Sequence, residues 1–505
     1  MVEFRITRYS HYFAVTAITA KARGYRRSMA ETLIESNLTK KRGRFVQEQK
    51  RIYARRDLER EEICFHDNFW EDFYQKAMYE GFTEDSFEIE VVPMYEPVRF
   101  DFEIDATPWE EQVPIIEFGM SEGKQKVITA QAGFGKTLCS LYVTAKLGMR
   151  FAVVTLGGYE DRWVPEFYRL LGLQPEEVRS CCGCTKLYKL LREVKETGIP
   201  NVKAIFLSTA TLRDFFKNYK NGKVVGSGCE DIDPKDIWEV LGVGLRITDE
   251  VHKDFHANFI IDLFSHVPKT MYLSATLFSN QDFMQRMYEM LLPRKFRKEG
   301  GKLNVYVESV RVLYRLKDPS KVRFNGGQGS YSHTAYEAWI MKDQEREKNY
   351  IEAIYKYTLN QWVLTREEGH KLLVFAATIE LCQKVRDLFQ ARMPDLIINS
   401  YTAGDDYQIL IDSDVIVSTI GKSGTAVDIP DLTQAIMTVA IDSPNANVQA
   451  LGRLRELKGD KKFAQVFHYF VCLDIQKHID YAKSKERLFS NRVTKVRTEH
   501  LPGVI

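Results

Sequence analysis

Residues 130–137 read Ala130-Gln-Ala-Gly-Phe-Gly-Lys-Thr137, the pattern A-x-x-G-x-G-K-T. The apolar pair Val127-Ile128 precedes it, and a helical pattern over 138–147 follows. In a strand–loop–helix setting, Gly133 and Gly135 let backbone N–H groups close around a phosphate, and the helix N-terminus adds a favourable dipole. Lys136 has the reach for the β- and γ-phosphates of a nucleotide, and the Thr137 hydroxyl is a ligand type for Mg²⁺. The competing reading is a glycine turn ahead of a core helix. A second group weighs against it. Ile247-Thr248-Asp249-Glu250-Val251-His252 sets a carboxylate pair at the end of an apolar run about 110 residues downstream. In a parallel sheet such a strand end faces the crevice where phosphates bind. Asp249 is placed to hold Mg²⁺ through water, and Glu250 to orient or deprotonate an attacking water. Ser274-Ala275-Thr276 ends the next apolar run, with small hydroxyls able to bond the Asp-Glu segment.

These groups need a sheet to bring their loops together. From about residue 105, short apolar runs alternate with helical patterns, at 126–129, 151–156, 204–208, 244–248 and 270–273. A second series lies at 371–376, 396–400, 414–418, 435–439 and 467–471. Such alternation predicts parallel sheets with helices on both faces, an α/β fold in two domains of similar size. Between the series, 317–345 carries Asp-Pro-Ser and Gly-Gly-Gln-Gly-Ser, a loop and linker composition. No short internal repeat is visible.

The P-loop, D-E-V-H and S-A-T, in that order, resemble a superfamily 2 helicase or translocase over about 105–480. That resemblance implies two tandem RecA-like parallel-sheet domains that sandwich ATP with Mg²⁺ and step along a nucleic acid. The expected layout is an N-terminal accessory domain at 1–104 and a first RecA-like domain at 105–316. A linker at 317–345, a second RecA-like domain at 346–480 and a C-terminal tail at 481–505, read as a helix with a frayed end, complete it. Within the resemblance, Gln112 reads the adenine edge and Trp109 packs near the base. The segment 153–163, with Arg162 and Trp163, resembles the one contacting the tracking strand in the Snf2 and phage-helicase branches, and Ser208 and Thr209 resemble the next strand contact. In the second domain Ser418, Thr419, Gly424 and Thr425 would touch backbone phosphates or the cleft, and Asp428 the ribose side. Gln449-Ala-Leu-Gly-Arg-Leu-Arg455 resembles the arginine-finger motif Q-x-x-G-R-x-x-R, which makes Arg453 and Arg455 catalytic candidates. The chain departs from the motif here, because Arg455 follows Arg453 by two residues and Glu456 stands where the arginine is expected. One residue is about 100° on a helix. Either the backbone is not regular helix at this point, or Arg453 carries more of the finger role.

Composition bounds the partners. At 28% charged and 44% hydrophobic the 505 residues suit a folded chain, and a net charge of +2 leaves nucleic-acid affinity to local patches. Residues 1–60 hold fifteen Lys/Arg against six Asp/Glu, and 61–120 hold two against seventeen. The basic groups are either a solvated helix face or a phosphate-contacting arm. Eight cysteines without a framework argue for a reducing compartment, and Cys181-Cys182-Gly-Cys184 lacks the partners a zinc site needs. No apolar run suggests a membrane span and the N-terminus lacks a signal-peptide pattern, so a cytoplasmic protein (host cytoplasm if phage-encoded) is expected. The resemblance to phage branch-migration helicases favours DNA as partner and an ATP-dependent helicase as activity. An RNA helicase, a duplex translocase that does not unwind, and a non-catalytic nucleic-acid binder stay open.

Overall fold

The computed structural model describes the chain except residues 42–43, 56–61, 132, 276, 278–281, 301–304, 325–329, 424–428 and 458–462. The chain forms two compact units, Met1–Gly301 and Lys302–Ile505.

In the first unit, strands β1 (Phe4–Arg8), β2 (Tyr12–Ala17), β5 (Ala54–Arg55), β6 (Ile63–His66) and β7 (Phe87–Val91) build a mixed sheet in the order β5-β6-β2-β1-β7. β3 (Ile34–Lys41) and β4 (Arg44–Arg51) pair only with each other, as an antiparallel ribbon. The sheet holds its helices with aromatic rings. Phe4 meets Tyr25, Phe73 and Phe82, and Phe13 meets Phe65 and Phe73, all with centroids within 6.0 Å. Each such ring contributes about 1.5–3 kcal/mol by leaving water.

The rest of this unit is a seven-stranded sheet. Its strands are β8 (Gln125–Thr129), β9 (Phe151–Thr155), β10 (Val178–Cys181), β11 (Ala204–Ser208), β12 (Leu245–Thr248), β13 (Lys269–Ser274) and β14 (Arg297–Glu299), in the order β10-β11-β9-β12-β13-β8-β14. Every pairing is parallel. Full burial of β9 and β11 explains why their sequences are nearly unbroken apolar runs, while the equally buried β12 and β13 carry Arg246, Lys269 and Thr270 among their apolar residues.

The N-terminal sheet is not a separate module. One hydrophobic core runs from Phe13 and Phe65 to Phe255, Phe259 and Tyr288. Polar groups lock the same seam: His11 Nε2 pairs with Thr270 Oγ1 at 2.8 Å, Ser10 N–H donates to His266 Nδ1 at 3.1 Å, and Asn68 Nδ2 donates to Gln125 Oε1 at 2.9 Å. Beneath them Asp262 is buried with Arg246, and accepts from Tyr272 OH at 2.8 Å.

The second unit is another seven-stranded sheet. β15 (Val307–Arg315), β16 (Lys371–Ala376), β17 (Ile398–Tyr401), β18 (Val415–Thr419), β19 (Leu432–Met437), β20 (Gln465–Cys472) and β21 (Val496–Val504) lie in the order β17-β18-β16-β19-β20-β15-β21, all pairings parallel. Three expected boundaries change. Residues 307–315 belong to this second sheet and not to the first domain. The expected linker holds a helix, His333–Met341, whose fully buried Glu337 accepts from the N–H groups of Ala377 and Thr378 at 2.8 Å and so joins the fold. The tail begins inside the helix Gln476–Phe489, but it does not fray at its end, because 496–504 forms an edge strand on β15. Among the described residues no helix is long and apolar enough to cross a membrane.

Candidate active site

β8 delivers the glycine loop to one end of the first parallel sheet. Gly133 and Gly135 both take φ +87°, a conformation L side chains avoid. At Gly135 a Cβ would also strike the Gln112 amide. The helix Lys136–Leu147 starts at once, and the first-turn N–H groups of a helix have no partner within the helix itself. Lys136 Nζ donates to the carbonyls of Ala130 and Gln131 at 2.7 and 3.2 Å, folding the loop around its own ammonium. Thr137 is half-buried in the first helical turn.

Gln112 is buried, its Oε1 accepts the Trp109 N–H at 2.9 Å, and its Nε2 donates to the Phe134 carbonyl at 2.7 Å. One bond at each end of the amide goes to backbone and braces the glycine loop, and each end keeps a further lone pair or N–H. The Trp109 side chain is exposed.

β12 ends at Thr248, and Asp249 and Glu250 follow, both buried. Asp249 is held from three sides. Its Oδ1 accepts the Glu250 N–H at 2.9 Å, its Oδ2 accepts the Trp163 indole N–H at 3.0 Å, and its carbonyl accepts Thr155 Oγ1 at 3.1 Å. Glu250 sits at φ +48°, and its carbonyl accepts the Lys253 N–H at 2.7 Å in a tight turn. Its Oε2 lies 3.3 Å from His252 Nδ1, which is itself 2.9 Å from Ser274 Oγ. Ser274 therefore reaches the carboxylate segment through His252; Thr276 lies outside the described residues.

The two carboxyls differ in character. Burial and the neighbouring Glu250 push Asp249 up. Burial also raises Glu250, but the charges of His252, Lys136, Lys253 and Arg162 outweigh it and leave the group below its ordinary value. Burial holds the His252 ring below its usual range. Glu250 is thus the lower of the two carboxyls and the better suited of the pair to stand as a proton acceptor. Thr137 and Asp249 offer oxygen donors of the kind a hard divalent cation takes.

The strand-contacting candidates divide by orientation. Arg162 is half-buried, its guanidinium 5.9 Å from the Tyr159 ring centroid. Trp163 is fully buried, with its indole N–H turned to Asp249. Ser208 caps its helix by accepting the Thr211 N–H at 3.1 Å, and Thr209 donates to the Thr155 carbonyl at 3.2 Å; both side chains are buried. What this edge offers a phosphate is backbone N–H at the start of the helix Thr209–Lys220.

In the second unit Ser418 is buried and donates to the Tyr401 carbonyl, and Thr419 is half-buried at the end of β18. Gly424, Thr425 and Asp428 lie outside the described residues. The helix Pro444–Leu451 stops before the arginines. Arg453 N–H donates to Ala450 O at 3.2 Å and Arg455 N–H to Arg453 O at 3.0 Å, a turn and not a helix, so the 100° argument does not apply there. Arg453 is buried and Arg455 half-buried. Sequence reasoning missed Thr155, Asn258 and Gln465. Thr155 holds the Asp249 carbonyl, Asn258 Nδ2 donates to the carbonyls of Val251 and Lys253 at 3.1 and 3.0 Å, and Gln465 Nε2 donates to the Arg455 carbonyl at 2.7 Å. The one available signal was a polar residue at the end of an apolar run, which Thr155 provides.

No family model and no curated protein sequence matches the chain. Solved structures do match in fold. Mss116p bound to ssRNA and AMP-PNP aligns at 14% identity over 77% of this chain and 74% of its own, with a TM-score of 0.52. Dbp5 of S. cerevisiae bound to RNA and ADP BeF3 aligns at 10% identity over 78% and 90%, with a TM-score of 0.50. At such identities the likeness is one of fold: two parallel-sheet domains in tandem, the RecA-like helicase architecture, carrying here an additional N-terminal sheet.

Proposed function

We propose that the chain is an ATP hydrolase of helicase superfamily 2 that moves along nucleic acid and unwinds or remodels duplex or branched DNA. The observation that carries this reading is the meeting, at one end of the first parallel sheet, of a glycine loop folded on Lys136 with a buried Glu250 beside an oriented Asp249. ATP phosphates sit on the loop and first-turn N–H groups with Lys136. Asp249 and Thr137 would hold Mg²⁺, which would supply positive charge at the nucleotide phosphates. Glu250 takes the proton of the attacking water, and Arg453, with Arg455, stabilises the transferring phosphoryl group. Helix N-termini after β9 and β11, with Arg162, grip the strand.

DNA is favoured by the motif resemblance to phage branch-migration enzymes. RNA is the second reading, and it draws on the RNA bound in the Mss116p and Dbp5 structures. ATP turnover should be measured alone and with single-stranded, duplex and branched DNA and with RNA. Stimulation of at least about tenfold by DNA forms over RNA supports the assignment. Stimulation by RNA alone moves it to an RNA helicase, and absence of turnover in every case leaves a non-catalytic binder.

A further inference from the structure

We infer that Trp163 is a positioning residue for Asp249, tying the helix that faces the strand to the carboxylate of the nucleotide site. The inference rests on the nucleotide site proposed above. The indole N–H donates to Asp249 Oδ2 at 3.0 Å, while the Glu250 N–H holds the other oxygen. A buried carboxylate loses water and depends on such donors. The ring is wholly buried, 6.1 Å by centroid from Phe167, which packs edge-on against Phe151 of β9 at 5.2 Å. Phe167 lies in the same helix, Glu160–Leu171, and β9 ends in the Thr155 that holds the Asp249 carbonyl. The indole is therefore fixed between two elements that both reach Asp249. Its neighbour Arg162 is half-buried, its guanidinium 5.9 Å from the Tyr159 ring centroid, and its charge acts on Asp249 and Glu250, so adjacent residues of one turn both bear on the carboxylate pair. Phenylalanine would keep most of the apolar contact; the indole adds the donor.

The test uses the full chain, wild type, Trp163→Phe, Asp249→Asn and the double variant, with a fluorescent ATP analogue bound in EDTA and across a Mg²⁺ titration. Trp163→Phe should raise the Mg²⁺ needed for half-maximal tightening by about 10–100-fold, as loss of an outer-shell partner does. Affinity in EDTA and affinity for single-stranded DNA should stay as in wild type, and the substitution should change nothing further in the Asp249→Asn background. A wild-type Mg²⁺ profile in Trp163→Phe, a loss in the Asp249→Asn background, or a loss of DNA affinity overturns the inference. If wild type itself shows no Mg²⁺ effect on nucleotide binding, the nucleotide site falls first. A second measurement needs no change at Trp163: of the indole N–H signals from the six tryptophans in a ¹⁵N spectrum, one should move in Asp249→Asn. No moving signal also overturns the inference.

Discussion

Glu250 carries its carboxylate on a backbone that non-glycine residues rarely adopt, at a cost of about 1–3 kcal/mol. Its N–H on Asp249 and its carbonyl in the turn to Lys253 offset that strain and keep the side chain beside His252. Glu250→Gln preserves shape and removes the proton acceptor. We expect ATP affinity within about threefold of wild type and turnover lower by at least about a hundredfold; near-normal single-turnover rates would remove Glu250 from that role. Arg453 and Arg455 should separate in the same assay. Arg453→Ala is expected to cost about 10³ in rate, with Arg455→Ala costing less and ATP affinity changing much less than rate in both. A larger loss in Arg455→Ala would make the second arginine the main finger. At this scale the sequence was legible where one residue type answers one need, as at Gly135. It was not legible where direction decides. Trp163 and Gln112 were recognisable as motif positions, yet only packing reveals that one N–H goes to Asp249 and both amide ends go to backbone.

The buried parallel strands could be read directly because both of their faces are covered. β10 escaped that reading. Only Val178 and Cys181 of Val178–Cys181 are buried, because the strand lies at the sheet edge and keeps Arg179 and Ser180 half-exposed. β15 escaped for another reason: it alternates as a strand should, but local pattern does not say which sheet it joins. The basic arm divides in the same manner. Arg26 is buried and donates to the Val15 carbonyl, so it is no surface group. Lys40, Lys41 and Arg44 fall at the turn end of the β3–β4 ribbon. Charge reversal at these three should weaken duplex DNA binding and lower the slope of log K against log salt by roughly 0.9 for each phosphate no longer neutralised. An unchanged slope in a salt titration would make the ribbon a solvated surface.

At the scale of the molecule, the second unit buries an unusual charge. Lys485, on the helix Gln476–Phe489, lies over the Tyr469 ring at 4.9 Å with its Nζ 3.3 Å from Met437 Sδ. Burial pushes its pKa down to about 7. The sign follows from linkage: between pH 7 and the unfolded value of about 10.4 the unfolded chain binds the extra proton, so stability rises with pH across that window and is lost as pH falls. Lys485→Met should raise the stability of the second unit at pH 7 by about 2–4 kcal/mol and flatten that rise. Denaturant titrations at pH 7 and pH 9.5 would show it, and equal pH slopes in variant and wild type would contradict it.

The place of β15 has a consequence in time. It is the first strand of its unit in chain order, and it pairs with β20 and β21, never with the strands that follow it directly. Its partner β20 begins at Gln465, so 149 residues separate the two strands. At about 5–20 residues per second of synthesis, that separation is roughly 7–30 s. Until then the strand that covers Val307, Val310, Val312 and Tyr314 has not been made, and Glu308, Arg311 and Arg315 are charges of the kind that disfavour wrong strand pairing.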